Sequence, residues 1–230
     1  MDTTKKIFNA LLIGLLSAIP AGALTAEEVF QNQANSALPD TLEMRLRMTM
    51  ALPGLSAQTV DLKVLRKGSE KSWTEMKSSV ANIRMVQNGS RSMVEDLNTG
   101  KKHAASSEEL GVSSSLDVSS QLGTAEDYQT PVLDGGFWRL DPVDSAKPTL
   151  YYDSTLMRVV EFHQTLSSTQ SAVSKIEYAP TGSTTLVPGT PCRIEIISDV
   201  SGVQSTVVIE ALLSKKRKDI LDAVFDVSTQ

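Results

Sequence analysis

Leu42-Glu43-Met44-Arg45-Leu46-Arg47-Met48-Thr49-Met50-Ala51-Leu52 alternates strictly: leucine or methionine at every even position, charged, polar or small residues between them. A side-chain period of two belongs to a β-strand, whose successive residues face opposite sides. The stretch predicts a long strand with one wholly apolar face. Pro53-Gly54 ends it, and Pro39-Asp40 separates it from an earlier, different pattern. There Thr25 and Glu28 form a capping box, and Val29, Phe30, Gln33, Ala34 and Ala37 recur at helical spacing, which predicts a short amphipathic helix.

The same style continues downstream. Val60, Leu62 and Val64 alternate with Asp61 and Lys63. Further strands are expected over residues 71–78, with Trp73 and Met76, and over 81–87, with Ile83 and Met85. Asn88-Gly89, the strongest short hairpin signal, turns the chain into 90–97, and Asn98-Thr99-Gly100 returns it through 101–105. Residues 106–130 are serine-rich, open with Ser106-x-x-Glu109 and show no alternation; they read as one or two short helices in a mobile segment. Strands resume over 136–140, 149–152, 156–164, 173–178, 192–197, 203–213 and 223–227, with Lys215 to Lys218 as a solvated turn before the last. Ten or so antiparallel strands against two or three helical pieces give an α+β fold. With so little helix to pack against, the curved antiparallel sheet is expected to form an unclosed β-barrel, a half-barrel, with a hydrophobic cavity and short helices as plug or lid.

Residues 1–23 carry Lys5 and Lys6, an apolar stretch from Ile7 to Ile19, and the small-x-small ending Ala21-Gly22-Ala23. This predicts a signal peptide cleaved after Ala23, with a retained anchor as the alternative, and one domain over residues 24–230. The only cysteine is Cys192, so a lipid anchor just after the cut and an internal disulfide are both excluded from this reading. Export without disulfides fits a Gram-negative periplasm. The net charge of −5 argues against a nucleic-acid partner held by general electrostatics.

Four segments carry a family resemblance. Val64-Leu65-Arg66-Lys67-Gly68 runs on to Trp73, Val86-Gln87-Asn88-Gly89-Ser90 to Asp96-Leu97, and Phe137-Trp138-Arg139-Leu140-Asp141-Pro142 and Phe225-Asp226-Val227 follow later. They resemble, in turn, the basic strand end that reaches a tryptophan, the "DGK" hairpin, the strand ending in "TP" and the closing strand of the LolA-like, periplasmic lipoprotein-carrier superfamily. Lys67 and Trp73 fall at that family's basic and tryptophan positions, while Gly68 stands where it prefers proline. The resemblance implies an unclosed barrel around a hydrophobic cavity with helices over its mouth.

Candidate ligand-binding residues are Leu42, Met44, Leu46, Met48, Met50, Val60, Leu62, Trp73, Met85 and Met93. Methionine is unbranched and polarisable, so a Met-rich wall can repack around acyl chains of differing shape; the same residues would equally fill an ordinary core. Lys67 and the run Lys215, Lys216, Arg217 and Lys218 are candidate partner or gating positions. Catalysis has little support: His103 and His163 lack ligand spacing, no G-x-S-x-G elbow occurs, and Cys192 reads as an inert strand cysteine. Asp141, Asp144 and Asp153 surround a turn without a calcium-loop signature. The expected function is a periplasmic, non-enzymatic carrier or chaperone for lipoprotein or lipid acyl chains in outer-membrane sorting, without cofactor or metal. It would be monomeric, with inner- or outer-membrane protein partners. The alternative is a regulatory envelope-stress module that senses lipidated or misfolded proteins.

Overall fold

The computed structural model describes residues 24–35, 38–79, 82–105 and 122–228. The expected signal peptide and most of the serine-rich segment lie outside the described residues. Helix α1 spans Ala26–Asn35. Its start is the expected capping box: the Thr25 N–H donates to Glu28 Oε2 at 2.8 Å, and the Glu28 N–H to Thr25 Oγ1 at 3.2 Å.

Thirteen strands follow. They are β1 Thr41–Ala51, β2 Gln58–Lys67, β3 Lys71–Lys77, β4 Asn82–Asn88, β5 Arg91–Asp96, β6 Lys102–Ala104, β7 Val132–Asp134, β8 Phe137–Leu140, β9 Thr149–Asp153, β10 Arg158–Ser167, β11 Gln170–Tyr178, β12 Pro191–Val200 and β13 Val203–Lys216. They form one antiparallel sheet in the order β6-β5-β4-β3-β2-β1-β13-β12-β11-β10-β9-β8-β7. Two meanders are thus sewn together where β1 pairs with β13, and the sheet stays open at β6 and β7. It is the curved, unclosed half-barrel that the alternation predicts.

The register divides the side chains into two faces. On the helix face, Met44 stands opposite Val64, Leu46 opposite Leu62 and Met48 opposite Val60. On the other side of β1, Leu46 faces Ala211 and Met48 faces Ile209. These residues join Val29 of α1, Tyr128, Leu140, Leu150, Tyr152, Val159, Ile176 and Ile194 in the larger core. The opposite face, called here the tail face, holds a second core of Val86, Met93, Ile220 and Phe225.

Helix α1 is fastened by polar side chains as well as by Val29. A register shift between Val159 and Glu161 breaks the β9–β10 ladder. The freed Val159 N–H donates to Gln33 Oε1 at 3.0 Å, and the Tyr178 hydroxyl donates to the Val159 carbonyl at 2.7 Å. Asn32 Nδ2 donates to the Tyr152 hydroxyl at 2.9 Å. Gln33 is buried, so Gln33→Leu leaves a buried N–H without a partner. We expect a loss of about 1–3 kcal/mol in a urea titration; an unchanged midpoint would mean that α1 is not held this way.

Three expectations are corrected. Residues 223–227 form no strand: Asp222–Phe225 is a 3-10 turn. By that point β13 is paired on both sides, by β1 and β12, so the following segment has no free edge to join and crosses the face instead. The basic run is no hairpin turn either, because Lys215 and Lys216 complete β13 and the Arg217 N–H continues the ladder to the Thr41 carbonyl at 3.3 Å. Finally, Leu156 and Met157 precede β10 in an exposed turn, where Met157 has φ +57°, a left-handed conformation.

Candidate functional site

The helix face is the site the sequence points to. Leu42, Met44, Leu46 and Met48 are buried along β1, with Val60, Leu62 and Val64 beside them on β2. Met50 is half-buried and Leu52, beyond the strand, is 49% exposed, so the stripe runs from interior to solvent instead of ending in a closed core. Continuing outward, Leu62 stands opposite Met76, Val64 opposite Thr74, Thr74 opposite Met85, and Met85 opposite Val94. Eight of the ten candidate ligand residues therefore share one face: Leu42, Met44, Leu46, Met48, Met50, Val60, Leu62 and Met85.

Trp73 and Met93 do not join them. Trp73 pairs with Leu65 and Val86, and Val86 pairs with Met93, which puts all four on the tail face. The reason is parity: the helix-face positions of β3 are Ser72, Thr74 and Met76, and one residue's offset reverses the face. Trp73 packs in the second core, with Lys63 Nζ and the Arg84 guanidinium each 5.6 Å from its ring.

One residue escapes a sequence reading. Thr74 is almost fully buried on the helix face, and its Oγ1 has no hydrogen-bond partner. A buried hydroxyl without a partner is costly, and here it lies between Val64 and Met85 in an otherwise apolar row. A threonine in a strand carries no sequence signal for this, since threonine favours strands anyway.

The basic candidates turn inward on the chain itself. Lys67 Nζ donates to the Ile220 carbonyl at 3.2 Å and pairs with Asp222 at 3.0 Å, while Lys71 pairs with Asp222 at 2.9 Å. Those two lysines hold the Asp222 carboxyl below the usual carboxylate range, Lys71 having the larger influence. Arg217 binds Asp219 through two nitrogens, at 2.7 and 2.8 Å, and also the buried Glu43; its guanidinium is held above its already high pKa by Asp219 first and Glu43 second. Lys215, Lys216 and Lys218 are exposed. Lys216 borders a hollow of about 250 Å³ beside Arg158, Pro188 and Thr190.

Little on these faces suggests reaction chemistry. The Tyr128 and Tyr178 phenols are pushed up to about 12 by burial and remain neutral donors, Tyr128 to the Leu122 carbonyl at 2.8 Å. Burial likewise raises the Cys192 thiol, which disfavours the nucleophilic thiolate. His163 Nε2 lies 2.5 Å from Glu161 Oε1 and its ring packs against Tyr151 at a tilt of 46°; His103 lies on the edge strand β6. Asp144 and Asp153 accept backbone N–H groups in turns, at 2.9 Å from Ala146 and 2.7 Å from Thr155, and Asp141 pairs with Arg139 at 3.1 Å. Among the described residues no group of three or more His, Cys, Asp or Glu is placed to hold a metal ion, and no helix is long and apolar enough to cross a membrane.

No protein-family model matches the chain, and no curated protein matches it in sequence. Solved structures do. A LolA superfamily protein from Nitrosomonas europaea superposes with a TM-score of 0.60 at 15% identity, covering 89% of this chain and 98% of the other. A DUF1329 family protein from Desulfovibrio piger gives 0.56 at 9% identity, with 87% and 95% covered. A protein domain from Vibrio parahaemolyticus described as an outer membrane lipoprotein-sorting domain gives 0.56 at 9% identity, with 86% and 95% covered. The architecture is therefore that of the LolA-like fold. At these identities the likeness is one of fold.

Proposed function

We propose that the chain is a non-enzymatic periplasmic carrier or chaperone, which shelters the acyl chains of lipoproteins or lipids against the helix face of its sheet for outer-membrane sorting. In this reading it is exported, with cleavage after Ala23, and acts as a monomer. The observation that carries the proposal is the apolar stripe of the helix face, buried from Leu42 to Met48 and opening to solvent through Met50 and Leu52. Among the described residues a single ten-residue helix lies on a thirteen-stranded sheet. Such a helix is about 15 Å long and about 10 Å across, whereas thirteen strands spaced about 4.8 Å apart span well over three times that length. The methionines supply a wall that can repack, and the fold is shared with a lipoprotein-sorting domain.

Thr74 gives the proposal a polar contact. Its buried hydroxyl would donate to an ester or amide carbonyl at the head of an acyl chain, which the surrounding apolar residues cannot do. Thr74→Val keeps the shape and removes the unpartnered oxygen. It is expected to leave stability unchanged or slightly raised, while weakening an acylated ligand by about 0.5–1.5 kcal/mol, up to roughly tenfold. Mass spectrometry of small molecules that copurify with the protein tests the class of cargo directly: acylated species support the proposal, and their consistent absence, with a Thr74→Val variant that binds a lipopeptide as well as the parent, removes it.

A further inference from the structure

Three neighbouring hairpin ends of the sheet are almost free of charge and carry exposed apolar side chains. The pairings Ala51 with Thr206, Val200 with Val203, Gln170 with Val200 and Ser167 with Gln170 bring the β1–β2, β12–β13 and β10–β11 turns to the same end of the sheet. Residues 48–60, 164–174 and 198–209, which form these ends, carry one charged side chain, Asp199, in a chain that is 21% charged. Large apolar side chains point into solvent from them: Leu52, Leu55, Leu166, Val200 and Val203, with Leu55 62% exposed. The other hairpin ends on that side are unlike this, with Lys77 at β3–β4 and Asp96 and Lys101 at β5–β6.

From this geometry we infer that the rim is a docking edge for an electrically neutral lipid bilayer. The strands β2-β1-β13-β12-β11-β10 are contiguous, so the three turns form a row about 24 Å long at a spacing of about 4.8 Å. Leucines and valines carried singly on turns can enter the acyl boundary, while Ser56, Ser168 and Ser201 beside them keep hydrogen bonds in the wet headgroup layer. Between two of the turns lies a hollow of about 390 Å³ lined by Thr165, Ser167, Thr169, Gln170, Asp199 and Ser201, where hydroxyls surround one carboxylate. This suits a zwitterionic headgroup whose cationic end meets Asp199. The row holds no lysine or arginine to attract anionic lipid, and no tryptophan, tyrosine, phenylalanine or arginine of the kind that anchors protein interfaces. The helix-face stripe reaches this edge at Leu52, but the turn residues Leu55, Leu166 and Val203 are not among the candidate ligand residues, so the inference is tested separately from the acyl-carrier proposal.

Sedimentation with phosphatidylcholine vesicles tests it, using protein whose N-terminus has been fixed by mass spectrometry in parent and variants alike. The parent is expected to bind, and to change less than about twofold between low salt and about 0.5 M salt, where exposed charge interactions are screened. Leu55→Ser with Leu166→Ser and Val203→Ser should weaken binding about tenfold or more, with the circular dichroism spectrum unchanged because all three sites are exposed. Leu55→Trp should shift its emission to the blue on the same vesicles. Failure of the parent to bind, binding that requires phosphatidylglycerol and vanishes in salt, equal binding by the triple variant, or a Leu55→Trp emission that does not move would each overturn the assignment.

Discussion

Met48→Asp is expected to abolish binding of a fluorescent fatty-acid analogue while leaving the protein folded. Met48 is 7% exposed and stands between Val60 and Ile209 on the helix face. In a sealed core an unpaired carboxylate there would cost several kcal/mol, a large part of the roughly 5–15 kcal/mol that holds a domain together. Two residues along the same stripe, however, Met50 is half-buried, and two further Leu52 is open to solvent. Water that reaches a hollow at this end of β1 would hydrate the carboxylate and spare most of that cost. Leu42→Asp, at the buried end of the stripe, is the control and should unfold the protein. The measurements are a probe titration and a denaturation midpoint for each variant. A Met48→Asp protein that unfolds like the Leu42 control, or one that binds the probe as before, would leave the stripe as ordinary core.

Phe225→Ala should be the most destabilising change on the other side of the sheet. The ring is fully buried against Val86, Met93 and Ile220, and Asn88 Nδ2 donates to its carbonyl at 3.2 Å. Truncating it removes buried apolar area and leaves a void, at a cost of about 3–5 kcal/mol. The Lys67 and Lys71 pairs to Asp222 are exposed and cannot hold the tail without it. Trp73, in the same core, reports the event: its emission should move to longer wavelength as urea midpoints fall. A loss below about 1 kcal/mol would show that the tail rests on the sheet without securing it.

Alternation was enough to read most of this fold. The even positions of β1 identify the apolar face, and Asn88-Gly89 fixes the β4–β5 turn, because both are local signals whose meaning does not depend on the rest of the chain. Facing between strands is not local. Trp73 and Met93 look like further wall residues until register assigns them to the tail face, and register is set by pairing across strands. The segment 223–227 alternates as a strand would, but strandhood needs a free edge, and the sheet offers none beside β13. Strand β7 is three residues long with every one exposed, too short for a pattern. The Thr74 hydroxyl is conspicuous only through what fails to surround it.

The seam between β1 and β13 also governs when the molecule can take shape. Thr41 and Arg217, which close it, are 176 positions apart in sequence. A chain emerging from its N-terminus can build the meander β1–β6 early, but β1 then keeps one row of N–H and C=O groups unsatisfied, next to a stripe of bare methionines. Such an edge is a template for pairing with another copy. Loops this long close slowly, so the hazard lasts until nearly the whole sequence has been delivered. The pairing that joins the two meanders into one sheet therefore makes its assembly late.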